Sequence, residues 1–156
     1  MSIKTNLADW YPLIKETLDN GGTFSLTVHG QSMYPFTTGG WDQITLSPIP
    51  GKLKKNDLPL YRRASGQFVL HRIVKVEKNG TYTCCGDHQW ALEKGLVQEQ
   101  MIGIATSYVR NGKHLTNRNV WYRIYRTVWT WVLPLRRYIF ALQTRASRLF
   151  RRKKAS

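Results

Sequence analysis

The string Gly30-Gln31-Ser32-Met33-Tyr34-Pro35 lies where the β-prone run TFSLTVHG gives way to a turn. Glycine relieves steric restriction there, proline fixes the exit, and a hydroxyl is left at a strand end. Serine beside glycine and proline is also ordinary turn chemistry, so Ser32 acquires catalytic meaning only with a partner. A serine hydroxyl is a poor nucleophile at neutral pH and needs a base to take its proton as a carbonyl is attacked. The chain offers four histidines, His29, His71, His88 and His114. His71 stands in the apolar run Phe68-Val69-Leu70-His71-Arg72-Ile73-Val74, where a strand would hold its ring rigidly. The competing reading is a hydrogen-bonded histidine on a half-buried strand. His29 precedes Ser32 by three residues and His88 adjoins Asp87, so both are rivals to His71; His114 follows the basic turn region 110–113 and is expected in solvent. No glycine-rich phosphate loop and no metal-ligand spacing occurs, and neither a cofactor nor a metal is expected.

These side chains need elements to hold them. Leu7, Trp10, Leu13, Ile14 and Leu18 recur at helical spacing over residues 7–19, with Asn6 available as a cap and Asn20-Gly21-Gly22 as a stop; Pro12 interrupts the pattern or shifts its start. From Thr23 the texture becomes short β-rich runs: FSLTVHG, DQITLSPI, LPLYRR, GQFVLHRIVKVE, GTYTCC and MIGIATSYVR. Ala64-Ser65-Gly66 and Lys78-Asn79-Gly80 read as hairpin turns, the Asn-Gly step being the stronger signal. The spacing predicts a mainly β (α+β) protein: an N-terminal helical segment (1–22), a compact antiparallel β domain (23–109) and a tail (110–156). With 156 residues, one buried core plus a tail fits better than two ordinary domains.

The net charge of +15 is concentrated in one segment. Residues 1–109 hold 11 Lys and Arg against 9 Asp and Glu, whereas residues 110–156 hold 13 basic side chains and no acid. After Asn119 the tail interleaves arginine with Trp, Tyr, Leu and Ile at helical spacing, and Pro134 is expected to divide it into two helices. Such a segment suits an anionic membrane surface, packing against the domain, or RNA. Cys84 and Cys85 are neighbours, expected to be reduced thiols on opposite faces of a strand, compatible with a reducing compartment. The first 22 residues lack the apolar core of a secretory signal and no stretch approaches the ~20 apolar residues of a spanning helix. The protein is therefore expected in the cytoplasm, peripheral on the inner face of the cytoplasmic membrane.

The order of the boxes resembles the signal-peptidase and LexA-like serine peptidases. Their pattern runs Ser-Met-x-Pro, a Gly-Asp turn before a strand, a base box, then a second Gly-Asp. Here the corresponding strings are Ser32-Met33-Tyr34-Pro35, Asn56-Asp57-Leu58-Pro59-Leu60-Tyr61, Leu70-His71-Arg72-Ile73-Val74 and Gly86-Asp87-His88-Gln89, so the resemblance covers residues 23–105. Histidine at the base position is similar to the endoplasmic-reticulum and archaeal subtype rather than the lysine subtype. The resemblance implies a LexA-like β fold, Ser32 as nucleophile in a box with Gly30, Met33 and Pro35, His71 as base, Asp87 orienting His71, and the Ser32 backbone N–H as an oxyanion donor. The sequence departs from the pattern at Gly39-Gly40-Trp41-Asp42, one residue out of step, and at Asn56, which stands where glycine is usual. An N-terminal anchor of the kind signal peptidases use is also missing, so general secretion is not the expected task.

The expectation is an endopeptidase maturing a peptide or protein precursor, for example by removing a leader. The alternative is a non-catalytic binding protein on the same fold, using its basic tail on anionic membrane or RNA.

Overall fold

A computed structural model describes residues 7–28, 30–37, 42–110 and 112–141. The first element is helix α1, Leu7–Asp19. Its apolar spacing turns Ile14 and Leu18 into the core, and Pro12 lies inside the helix on its exposed side rather than at its start. The expected cap, Asn6, lies outside the described residues. The expected stop is present: Gly21 takes a φ of 78°, and the N–H groups of Asn20 and Gly22 bond the carbonyls of Glu16 and Thr17.

Among the described residues nine strands follow: β1 Phe24–Thr27, β2 Gln43–Ser47, β3 Pro59–Arg62, β4 Phe68–Leu70, β5 Arg72–Val76, β6 Tyr82–Cys85, β7 Glu93–Leu96, β8 Met101–Arg110 and β9 Lys113–Thr116. All pairings among them are antiparallel. Six form one sheet in the order β1-β2-β8-β3-β4, with β9 also on β8; it curls into a half-barrel. The other three form a second sheet, β5-β6-β7. Both expected hairpin turns occur, closed by Arg63 N–H to Gln67 and Glu77 N–H to Thr81, with Gly66 and Gly80 at positive φ.

Two clusters make the core. One gathers Ile14, Leu18, Met33, Phe36, Ile44, Leu46, Leu60 and Tyr108; the other gathers Leu53, Tyr61, Val69, Ile73, Tyr82 and Cys84. Consecutive residues of β3 therefore serve different clusters, Leu60 the first and Tyr61 the second, because neighbours on a strand face opposite ways. That double burial explains the uninterrupted apolar run Leu58-Pro59-Leu60-Tyr61.

The strand run expected over 68–76 is broken at one residue. His71 separates β4, in the large sheet, from β5, in the small one, so it sits at the corner where the chain changes sheets.

Residues 142–156 of the expected helical tail lie outside the described residues; the described part of the segment, to residue 141, differs from a helical tail in two ways. Its first residues are sheet, since β8 runs to Arg110 and β9 pairs with it. Helix α2 then covers Val120–Trp131, capped by the Asn119 side chain, which accepts the Tyr122 N–H at 3.1 Å. Tyr122 belongs to the first core cluster, so α2 is packed against the domain. As expected, Pro134 interrupts: Leu133–Leu135 is a 3-10 turn and residues 136–141 resume as helix. Among the described residues no helix is long and apolar enough to cross a membrane.

Candidate functional site

Ser32 lies half-buried in a tight loop. Gly30 takes a φ of 96°, which a side chain would resist, and the loop closes with Tyr34 N–H to Gln31 O and Thr37 N–H to Met33 O. The flanking apolar residues anchor it, since Met33 and Phe36 are buried in the first core cluster. The Tyr34–Pro35 peptide bond is cis. Ser32 is thus held on its C-terminal side by residues that cannot leave the core without cost.

A second loop meets it. The Ser32 carbonyl accepts the His88 N–H at 2.8 Å, and a Cβ on Gly86 would stand 2.6 Å from that same carbonyl oxygen. The Gly86-Asp87-His88-Gln89 turn needs glycine at its start because another backbone passes too close for a side chain. The His88 ring stands edge-on to Tyr34 at 5.4 Å between centroids, with Phe140 on it at 4.5 Å.

His71 is buried, 5% exposed, and lines a cavity of about 560 Å³ together with Arg63, His88, Gln89, Trp90 and Glu93. Its Nδ1 lies 3.3 Å from the Tyr61 hydroxyl and 4.0 Å from Glu93 Oε2. The Tyr61 hydroxyl donates to Glu93 Oε2 at 2.7 Å, and Arg63 clamps both oxygens of Glu93, Nε to Oε1 at 2.7 Å and a terminal nitrogen to Oε2 at 2.6 Å. Tyr61 and Arg63 are two residues apart along β3 and its extension, hence on one face, and Glu93 opens β7 opposite them. Hydrogen bonding by Arg63 holds the Glu93 carboxyl below its ordinary value, so it is an acceptor at neutral pH. The single Tyr61 proton is then committed to Glu93, and the Tyr61 oxygen can only accept from His71. This fixes the proton on Nδ1 and leaves Nε2 as the ring nitrogen with the lone pair. Burial pushes the His71 pKa down to about 4, against the opposing pull of Glu93. The ring is neutral and basic-form at physiological pH.

Asp87, expected to orient His71, makes no hydrogen bond to it among the described residues. Its carboxylate is fully buried and bidentate to Arg72, Nε to Oδ1 at 2.9 Å and a terminal nitrogen to Oδ2 at 2.7 Å, and the Tyr125 hydroxyl also donates to Oδ2 at 3.1 Å. The physical reason is register. Arg72 pairs with Cys85 across β5 and β6, so its guanidinium, not the His71 ring, faces the turn that follows β6. Burying an arginine and a carboxylate together demands that each satisfy the other. The residue actually against the His71 ring is Tyr61, backed by Glu93.

Arg136 completes the turn's support. It is fully buried, donating to the carbonyls of Gly86 (2.9 Å), Gln89 (3.2 Å) and Trp129 (2.7 Å), and its guanidinium lies 5.0 Å from the Trp129 ring centre. Trp129 Nε1–H in turn bonds the Asp87 carbonyl at 2.8 Å. The Gly86–Gln89 turn is therefore gripped by Arg72 from β5 and by α2 and Arg136 from the far side.

Ser32 and His71 thus converge on one turn, the serine through the His88 N–H and the histidine through the cavity it shares with His88 and Gln89. Among the described residues no hydrogen bond joins Ser32 to His71. His29 lies outside the described residues, as do Gly39, Gly40 and Trp41. His88 adjoins Ser32 through its backbone, and its Nδ1 is buried without a partner among the described residues. His114 is exposed on β9. Cys84 and Cys85 are free and both buried, and burial raises their thiols to about 12 and about 11, leaving them unreactive at neutral pH.

No family model, curated protein or solved structure matches the chain. Tyr61, Arg63, Glu93 and Arg136 escaped sequence reasoning for different reasons. Tyr61 and Arg63 carry the i, i+2 signature of one strand face, which was available in LPLYRR; Glu93 had no such cue, and Arg136 was hidden in a charge run.

Proposed function

We propose that the protein is a serine endopeptidase of signal-peptidase and LexA-like type, acting on a peptide or protein precursor such as a leader-bearing peptide. Support for the fold comes from two antiparallel sheets joined at the base-bearing corner, with the four sequence boxes in order along them. The observation that carries the reaction is the contact of His71 Nδ1 with a Tyr61 hydroxyl whose own proton goes to Glu93, an arrangement that favours the lone pair on Nε2, while burial favours the neutral ring. Ser32 Oγ attacks the scissile carbonyl while Nε2 of His71 takes its proton; the imidazolium then protonates the leaving amine, and a water activated by the same nitrogen releases the acyl group. The Ser32 backbone N–H is the proposed oxyanion donor. Tyr61 is a positioning residue here, and Asp87 an architectural one. The proposed setting is the cytoplasm, peripheral to the inner face of the membrane, in keeping with two buried free thiols and with 13 basic residues and no acid over residues 110–156.

The test is mass spectrometry of precursor peptides incubated with wild type, Ser32→Ala and His71→Ala. Turnover by wild type alone is the expected result, because nucleophile and base act as a unit. Equal cleavage by either variant removes the assignment, and a wild type without turnover returns the chain to the binding-protein reading.

A further inference from the structure

Helix α2 has two apolar faces, and among the described residues only one has a protein partner. Tyr122, Tyr125 and Trp129 point inward, onto Phe36, Asp87 and Arg136. Val120, Ile124, Val128 and Trp131 recur at intervals of four, four and three, which places them on a single stripe along the opposite side. All four are exposed, and the two tryptophans of the outer side, Trp121 and Trp131, are 78% and 77% exposed. Leu135 and Tyr138, past the Pro134 interruption, are exposed as well. A helix needs only one apolar face to pack on its own domain, so the second answers to something outside it.

We propose that this outer face of α2 docks on an anionic lipid bilayer, with Val120, Ile124, Val128 and Trp131 entering the interface and Arg123 reaching lipid phosphates. The inference rests on the membrane setting proposed above but not on the chemistry of Ser32. Charge selects the occupant. Thirteen basic residues and no acid lie between residues 110 and 156, so a second copy of the chain would bring like charge against like charge, whereas an anionic surface is complementary. Nucleic acid fits less well. Of the arginines on this part of the chain, Arg136 is buried under the Gly86–Gln89 turn, which removes it from phosphate contact, and Arg126 is half-buried over the Tyr122 ring. An aliphatic stripe also has no role in gripping phosphates. Tryptophans bordering an aliphatic stripe, with arginine beside it, are the composition of a helix lying in the headgroup region.

Flotation of the full chain with phosphatidylcholine vesicles, with and without phosphatidylserine, tests this, using wild type and the double variant Ile124→Asp/Val128→Asp. Both side chains are exposed, so the variant should keep the wild-type melting temperature and cleave soluble peptide as wild type does. The expected result is flotation of wild type with the anionic vesicles and binding weakened about tenfold or more in the variant, since two buried aliphatic side chains are each worth at least that. Three outcomes overturn the proposal: no flotation of wild type, flotation of the variant equal to wild type, or a wild-type dimer that the variant converts to monomer. Loss of peptide cleavage in wild type with flotation retained would strike only the peptidase reading.

Discussion

Tyr61 has one hydroxyl proton and two neighbours that compete for it. Glu93, kept ionised by Arg63, takes it at 2.7 Å, so the Tyr61 oxygen is left to accept from His71 Nδ1 at 3.3 Å. Replacing Tyr61 with Phe keeps the ring's packing but removes that acceptor, and the imidazole is then free to carry its proton on either nitrogen. The expected consequence is a fall in kcat of roughly tenfold to a hundredfold with KM little changed, read in steady-state kinetics. A Tyr61→Phe enzyme with wild-type kcat would leave the hydroxyl without a positioning role. The same burial sets the pH response. An ordinary histidine titrates near 6.5, and His71 is pushed down to about 4. Because the protonated ring cannot accept the Ser32 proton, kcat/KM should hold level from pH 7 to about 5 and fall with an inflection near 4. An inflection at the ordinary histidine value would show that the ring is more solvated than its 5% exposure implies. Stability follows by linkage. The unfolded chain binds the proton first, so the contribution of His71 is complete above about 6.5 and is lost as pH drops from there toward 4, about 3 kcal/mol over that window. Urea titrations at pH 7 and pH 4.5 read it directly, together with the other groups that titrate between them.

The Gly86–Gln89 turn is the element on which both halves of the site depend. Gly86→Ala would drive a methyl to 2.6 Å from the Ser32 carbonyl, a backbone atom that cannot swing aside, so the nucleophile loop must shift. A loss of about 1–3 kcal/mol and of most activity is expected, checked by thermal melts beside peptide turnover. Asp87→Asn separates the two roles considered for that carboxylate. As half of a fully buried pair with Arg72, its loss should cost about 3–5 kcal/mol and lower the melting temperature; a triad member acting on His71 would instead lose activity with the melting temperature kept. This turn also marks how far the sequence could be read. Both hairpins, the α1 stop and the Pro134 interruption were visible because each depends on a few adjacent residues with restricted backbones. Ser32 and His71 could be nominated from their local strings. The partner of His71 could not, because Tyr61, Arg63 and Glu93 are assembled by pairing across two sheets, and the placement of Asp87 turned on the register of Arg72 opposite Cys85, which no local spacing encodes.

Across the whole molecule, charge is segregated by sequence but not by structure. Read as a sequence, residues 110–156 look detachable, a basic tail appended to a nearly neutral domain. The fold takes in the described part of this segment, residues 112–141. Residues 113–116 extend the large sheet, Tyr122 enters the first core cluster and shares hydrogen bonds with Tyr108 and Arg72, and Arg136 is buried beneath the turn that holds Ser32. A chain ending at Asn119 would lose the inner face of α2 and Arg136 together, expose the Asp87–Arg72 pair to water on that side, and uncover Phe36. Each large aromatic removed from such a contact is worth about 3–5 kcal/mol, and the whole stability of a domain this size is about 5–15 kcal/mol. The truncated chain should therefore lack a cooperative thermal transition by circular dichroism. The outer face of the same helix makes the control: Ile124→Asp/Val128→Asp touches only exposed side chains and should melt as the wild type does. If the truncated chain melted like the full one, α2 would be an attached binding segment rather than a wall of the site. If it does not, membrane docking by the outer face and support of the Ser32 turn by the inner face are two uses of one helix, and substitutions on one side should be silent in the assay for the other.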